Sequence, residues 1–406
     1  MSEQLLPITA QDVMDAAARI EGAVIRTPTN HSRTLSSITG ADVHLKFEIF
    51  QFTAAYKERG ALNRLLDLPA GTKGVIAASA GNHAQGISYH AGRLGTPATI
   101  VMPEGTPFNK VKRTEELGAR VVLKGADFEA ATRYAYELAD KENLTFIHPF
   151  DDPLVMAGQG TVGLEMLEDV ANLDTLVVPI GGGGLISGVA TIAKHLNPNI
   201  RIVGVQTEAF PAMKETIDGT SLAGDNISIA EGIAVNNPGE KTRHVVRELV
   251  DDIVTVSERT IEAAIVTIME IEKVIVEGAG AISFGALMQH PEKFKDRKVG
   301  IILSGGNIDS RMLASAIMRG MARDGRLARL RITMMDQPGA LAKVTEVVAE
   351  VGANVIEMRH HREFGAISLK QTEMELVIEA KDQDHAQRLV NALEATGFKV
   401  DYAKTV

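Results

Sequence analysis

The sequence predicts an α/β protein in two parts: a two-lobed parallel-sheet domain over residues 1–320 and a ferredoxin-like βαββαβ domain over residues 326–406. Three observations predict it. Up to about residue 320, short apolar runs rich in β-branched residues alternate with amphipathic helical patterns, which is how a parallel sheet covered on both faces reads. After the basic stretch "MRGMARDGRLARLR" (318–331) the order of patterns changes to βαββαβ, and about 80 residues suffice for that plan. Finally, three glycine-containing loops directly follow three of the strands, the place where open parallel sheets bind ligands.

The elements follow in order. Thr9 and Asp12 form a capping box that opens the first helix. Strands are expected at "GVIAAS" (74–79), "ATIVMP" (98–103), "ARVVLK" (119–124), "TLVVPI" (175–180), "IRIVGVQ" (200–206) and "KVGIILS" (298–304), with helices such as "NKVKRTEELG" and "FEAATRYAYELADKEN" between them. Residues 175–193, "TLVVPIGGGGLISGVATIA", carry no charge over nearly a membrane-spanning length, but Pro179 and four consecutive glycines favour a buried strand, a turn and a packed helix. The second domain reads as strand 327–335, helix 339–351, strand 353–361, strand 367–380, helix 382–396 and strand 398–404.

Composition narrows the class of function. A formal charge of -10 disfavours nucleic acid as a partner, and a small-molecule substrate is expected. The absence of cysteine removes disulfides, thiolate nucleophiles and Cys-ligated metals. Glu3, Asp12, Asp15 and Glu21 break up the first thirty residues, so no signal peptide, no membrane anchorage and a cytoplasmic location are expected. A homodimer or homotetramer is the expected assembly.

The first loop, "SAGNHAQG" (79–86), opens a helix that Ser79 is expected to cap. The amides of Ala80, Gly81, Asn82 and His83 then form a nest suited to a carboxylate, with Asn82 adding a donor and His83 read as structural. The second, Gly181, Gly182, Gly183, Gly184 and Leu185, sets unobstructed amides at a helix N-terminus and reads as a phosphate cradle. Neither GxxxxGK[ST] nor GxGxxG fits, which favours a monophosphate over a dinucleotide. The third, "SGGNID" (304–309), presents the Ser304 hydroxyl and an amide. Beside these, Lys57 in "FTAAYKERGALNRL" (52–65) sits among small and aromatic residues, where a desolvated amine can form a Schiff base and shuttle protons. Pyridoxal 5'-phosphate is the aldehyde cofactor that uses all of these parts.

In this order, "FTAAYKERGALNRL", "ASAGNHAQG", "GGGGLISG", "VEGAGA" and "LSGGNID" resemble the motifs of the threonine/serine dehydratases, within the tryptophan-synthase-β-like class (fold type II) of pyridoxal-phosphate enzymes. The resemblance covers about residues 5–320. It implies that Lys57 holds the cofactor as an internal aldimine, Asn82 bonds its 3-hydroxyl, Gly181 to Leu185 bind its phosphate, and Ser304 faces the pyridine nitrogen. "DQPGALAKVTEVVAEVGANVIEMRHH" (336–361) resembles an ACT domain, and implies an amino-acid effector near Asp336, Pro338 and Gly339. The two together resemble a threonine ammonia-lyase with one regulatory ACT domain, converting threonine, and serine beside it, to 2-oxobutanoate or pyruvate and ammonia.

This chain departs from its relatives at three places. Thr53-Ala54-Ala55-Tyr56-Lys57 replaces the "TGSFK" of many relatives, losing a hydroxyl and gaining a phenol. Ala80 stands where racemases of the family carry a serine that serves the opposite face of Cα, which favours elimination. Gln206 replaces an acidic metal ligand of some relatives, so no metal is expected, although Glu208 lies close by in sequence. "HHR" (360–362) does not suggest a metal site, because adjacent strand residues face opposite ways. Alternatives are a serine or 3-hydroxyaspartate dehydratase or racemase, a nicotinamide-dependent dehydrogenase, which leaves Lys57 without a role, and a non-catalytic amino-acid sensor, which leaves the cradle without one.

Overall fold

Among the described residues, ten strands and the helices between them build the first of two compact units, residues 1–308 and 309–406. The computed structural model describes residues 5–221, 227–361 and 368–402. Glu3, Arg362, Ile367, Ala403 and Lys404, which entered the expectations above, lie outside the described residues.

The strands of the first unit are β1 (Thr29–His31), β2 (Asp42–Lys46), β3 (Val75–Ala78), β4 (Ala98–Met102), β5 (Arg120–Leu123), β6 (Thr145–Phe146), β7 (Thr175–Pro179), β8 (Arg201–Thr207), β9 (Asp252–Val256) and β10 (Lys298–Ile302). They form two sheets, one in the order β1-β2-β10-β7-β8-β9 and one in the order β5-β4-β3-β6. Every neighbouring pair is parallel except β1 with β2. Strands β4 and β7 are buried along their whole length, as uninterrupted apolar runs require. Leu176 and Val178 of β7 pack with Leu185, Ile186 and Val189 of the helix that follows, each side chain contributing roughly 1.5–3 kcal/mol by burial. The uncharged stretch 175–193 is therefore strand, glycine turn and packed helix. Among the described residues no helix is long and apolar enough to cross a membrane.

The capping box read from the sequence at Thr9 recurs in the structure. Thr9 donates its backbone N–H to Asp12 Oδ2 at 2.7 Å, and its hydroxyl accepts the Asp12 N–H at 3.3 Å. Strands β1, β2, β6 and β9 are absent from the expected set. Strands β1 and β6 have three and two residues, too few for a period to show. In β2 the pattern is hidden by Lys46, which is fully buried because Glu165 and the Thr27 carbonyl take its ammonium at 2.6 and 2.7 Å.

Lys46 belongs to a buried ionic cluster beneath the helix Lys57–Leu66. Arg59 donates to Glu48 Oε1 and to Glu165 Oε1, both at 2.7 Å. Burial by itself would raise the Glu48 carboxyl, but the Arg59 guanidinium outweighs it and holds Glu48 below the usual carboxylate range. At the next residue, Gly60, this helix presses on the helix Pro153–Asp169. A Cβ on Gly158 would lie 2.6 Å from Gly60 Cα and 2.8 Å from the Arg59 carbonyl, so only glycine allows the two backbones this close.

In the second unit, β11 (Leu327–Met335), β12 (Asn354–His361), β13 (Gln371–Glu379) and β14 (Lys399–Tyr402) form an antiparallel sheet in the order β12-β13-β11-β14. With the helices Ala340–Val351 and Gln383–Ala395 this is the expected βαββαβ plan. Strands β11 and β13 alternate buried and less buried residues, so Leu330, Ile332, Leu376 and Ile378 meet Val344 and Leu389 in one core. The helix Ser310–Arg323 is grouped with this unit and packs on β11.

Candidate active site

Lys57 is the first residue of its helix, and its position is set by the loop before it. Ala54 takes the left-handed conformation with φ of 55°, unusual for a residue with a side chain. The loop is bound to the third glycine loop: Tyr56 N–H donates to the Ser304 carbonyl at 3.1 Å, and Gly306 N–H to the Ala54 carbonyl at 2.9 Å. The Glu58 carboxylate accepts the Thr53 N–H from below and lies 3.2 Å from His90 Nε2, both side chains being buried.

The Lys57 ammonium donates to the Pro149 carbonyl at 2.8 Å and lies 5.4 Å from the centroid of the Tyr56 ring. Burial pulls this amine down to about 8, with the Glu277 carboxyl opposing. Such an amine is neutral often enough near physiological pH to act as nucleophile or proton acceptor.

Three polar side chains from distant segments meet beside it. Asn82 donates from Nδ2 to Glu277 Oε1 at 2.7 Å, and Asn307 donates from Nδ2 to Asn82 Oδ1 at 2.8 Å and to the Thr53 carbonyl at 2.7 Å. Burial raises the Glu277 carboxyl to about 7 against the hydrogen bond from Asn82. The Ser304 hydroxyl, 2% exposed, donates to the Ala279 carbonyl at 3.1 Å.

The first glycine loop corrects one expectation. Ser79 does not cap the helix, which runs Asn82–Arg93 with Gly81 in the cap position and no side-chain cap. The helix starts too late for Ser79 to reach its first turn, and the hydroxyl instead accepts the Gly81 N–H at 3.2 Å. A Cβ on Gly81 would meet nothing within 4 Å, so space lies open beside Gly81. His83 is buried, with Nε2 3.1 Å from the Ile147 carbonyl and no hydrogen-bond partner for Nδ1 among the described residues. Burial, with the Lys57 ammonium adding to it, takes this imidazole down to about 3, so it is neutral at ordinary pH.

At the second loop, Gly183 has φ of 97° and is the cap residue of the helix Gly184–Leu196. A Cβ on Gly182 would collide with the Phe150 ring, which packs flat against the loop one residue after the carbonyl that receives Lys57. Leu185 turns its side chain into the core, leaving its backbone to the cradle. Asp336, Pro338 and Gly339 lie in the second unit at the entry to the helix Ala340–Val351, with Gly339 at φ of 90° as its cap residue. The Asp336 N–H donates to the Lys370 carbonyl at 3.0 Å.

The structure thus joins Lys57, Asn82 and Ser304 through hydrogen-bonded loops, and joins Gly181–Gly184 to them through Pro149 and Phe150. Sequence reading missed Glu277, Pro149 and Phe150, and noted the amide in "SGGNID" without giving Asn307 a partner. The signals were present: "VEGAGA" carries one acid in an otherwise small and apolar run, and "HPFDDP" (148–153) packs turn formers before a helix.

These donors suit pyridoxal phosphate. The amine is desolvated, the glycine loop accepts no side chain without collision or strain, and Asn82, Ser304 and the open nest supply polar groups around it. Among the described residues no group of three or more His, Cys, Asp or Glu side chains could hold a metal ion. Gln206 is engaged with the Phe210 carbonyl and the Lys214 N–H, and Glu208 accepts from Gln289.

Comparison with known proteins agrees with this chemistry. Residues 20–305 match the family model described as pyridoxal-phosphate dependent enzyme, and residues 328–398 match that of the ACT domain. An L-threonine ammonia-lyase of Thermotoga maritima is 40% identical, with 97% of this chain and 99% of that protein covered. Among solved structures, the processed form of threonine deaminase isoform 2 from Solanum lycopersicum superposes with a TM-score of 0.71 at 37% identity, covering 76% of this chain and 86% of that one. Maize serine racemase gives a TM-score of 0.71 at 34% identity, covering 78% and 98%.

Proposed function

The chain belongs to the pyridoxal-phosphate-dependent enzyme family and carries a C-terminal ACT domain, and on that premise we propose that it is a carbon-nitrogen lyase that converts L-threonine to 2-oxobutanoate and ammonia. L-Serine, lacking one methyl, would give pyruvate by the same chemistry, since one methyl in a pocket discriminates by only about 1–3 kcal/mol. The observation that carries the reading is the Lys57 amine, lowered to about 8 and held on the Pro149 carbonyl, one residue before the Phe150 ring that packs on the glycine cradle.

Lys57 would hold the cofactor covalently, Gly181 to Leu185 its phosphate, Asn82 its ring hydroxyl, with Ser304 at its ring nitrogen. When bound, the cofactor supplies an electron-accepting ring conjugated to the substrate's Cα. Residues 79–83 orient the substrate carboxylate with backbone amides, and neutral His83 closes the nest without adding charge. The Lys57 amine would take the Cα proton and return it to the departing β-hydroxyl, which leaves as water. One water molecule then releases ammonia, so threonine balances 2-oxobutanoate plus ammonia. Ala80 offers no proton to the opposite face of Cα, which favours elimination over racemisation despite the likeness to a serine racemase.

The ACT unit is proposed to bind an amino-acid effector, its carboxylate at the helix entry beside Asp336, Pro338 and Gly339. The test of the whole reading is borohydride reduction of the purified yellow protein, peptide mapping of the label, and product analysis with threonine, serine and 3-hydroxyaspartate. Label on a lysine other than Lys57, or no 2-oxo acid from any of the three, removes it.

A further inference from the structure

The glycine cradle raises a problem that its own residues do not solve. A peptide flanked by two glycines rotates with little resistance, so nothing in "GGGG" decides which way the Gly182–Gly183 amide points. Groups from elsewhere decide it: the Gly239 N–H donates to the Gly182 carbonyl at 3.4 Å, and two side chains set the closer contact. The Thr242 hydroxyl, fully buried, donates to the Gly182 carbonyl at 2.6 Å. Thr242 lies in the first turn of the helix Glu240–Leu249, whose cap residue Gly239 offers no side chain. The cap comes instead from Asp151, about ninety residues earlier. Its carboxylate accepts the N–H groups of Glu240 at 3.2 Å, Lys241 at 3.0 Å and Thr242 at 3.1 Å. A Cβ on Gly239 would collide with that carboxylate, so the fit admits only glycine there. Asp151 is itself held by His148, whose Nδ1 accepts the Asp151 N–H at 2.8 Å.

We propose that Thr242, placed by Asp151, is the positioning residue that locks the Gly182–Gly183 peptide with its N–H toward the cofactor's phosphate. The peptide is planar and trans, so its C=O and N–H point in opposite directions. With the carbonyl drawn onto Thr242, the Gly183 N–H is turned to the other side of the loop. The same segment carries Pro149, which receives Lys57, and Phe150, which packs on Gly182. Residues 148–152 therefore set the lysine and the phosphate donors in one frame. This inference rests on the reading that Gly181 to Leu185 hold the phosphate.

The test reconstitutes the full chain, stripped of cofactor, with pyridoxal phosphate or with pyridoxal, which lacks the phosphate. Binding is read from the visible absorbance of the lysine-linked chromophore and from the phosphorus resonance. Thr242→Val should weaken pyridoxal phosphate about tenfold, the effect of one buried hydrogen bond, and leave pyridoxal unchanged. Thr242→Ser should restore the wild-type preference. The same comparison on Asp151→Asn, which keeps the side chain's size and removes its charge, should show a smaller loss in the same direction and serves if Thr242→Val does not fold. Equal weakening of both compounds, or of neither, overturns the proposal while the cradle stands. A wild-type protein that does not distinguish the two compounds overturns the cradle reading and the proposal with it.

Discussion

Glu277 Oε1 accepts a hydrogen bond from Nδ2 of Asn82 at 2.7 Å, across 195 residues of sequence, and this contact fixes which end of the Asn82 amide faces which neighbour. With Nδ2 given to Glu277, Oδ1 receives Asn307, and the three side chains orient one another beside Lys57.

Glu277 gives the fold a pH dependence whose sign can be worked out. Its carboxyl is raised by burial to about 7, above its unfolded value, so the folded chain holds the extra proton between those two values. That contribution is fully present below the unfolded pKa and is lost as pH rises through 7. Glu277→Gln should therefore flatten the fall in melting temperature between pH 5 and 8 by a few degrees in the cofactor-free chain. An unchanged slope would show that Glu277 stays ionised throughout.

Lys57 predicts a rate. Only its neutral amine attacks an aldehyde, and with the amine lowered to about 8 the neutral fraction falls roughly tenfold per pH unit below that value. Capture of pyridoxal phosphate by the stripped full-length chain should quicken about tenfold from pH 6 to 7 and level off above 9. Stopped-flow absorbance checks this, and a rate still climbing at pH 10 would place the amine in solvent. Lys57→Ala should lose the chromophore and at least three orders of magnitude of turnover.

Gly182→Ala tests the cradle sterically. The new methyl meets the Phe150 ring, so stability should fall by about 1–3 kcal/mol and cofactor binding should weaken. Phe150→Leu added to it should recover part of both. Chemical denaturation and cofactor titration measure the two effects, and a fully stable, fully loaded Gly182→Ala protein would refute the contact.

The ACT unit predicts a separable response. If one amino acid shifts the threonine KM of the full chain, a chain ending near residue 320 should keep its turnover and lose the shift. A shift of the same size in the shortened chain would place the effector in the first unit.

Much of the candidate site was legible as motifs because each motif is local. A glycine run after a strand, a nest opening a helix, and a lysine among small residues are each contained in a few consecutive residues, and each implies its own backbone geometry. In the C-terminal unit the two-residue alternation of Leu330, Ile332, Leu376 and Ile378 predicted the strands for the same reason: one buried face imposes a period. The expected cap at Ser79 failed by two residues, since where a helix begins depends on what its first turn packs against.

By itself, then, the sequence determined the α/β plan, the order of the glycine loops, the βαββαβ tail and the candidate lysine, all of which follow from periodicity and short-range backbone chemistry. Tertiary structure alone decided that Glu277 and Asn307 clasp Asn82, that Pro149 receives Lys57, and that Asp151 caps a helix ninety residues away to bring Thr242 to Gly182. The physical reason is that a buried polar group must find a partner, and which partner it finds depends on how the chain packs, a fact that no local spacing records.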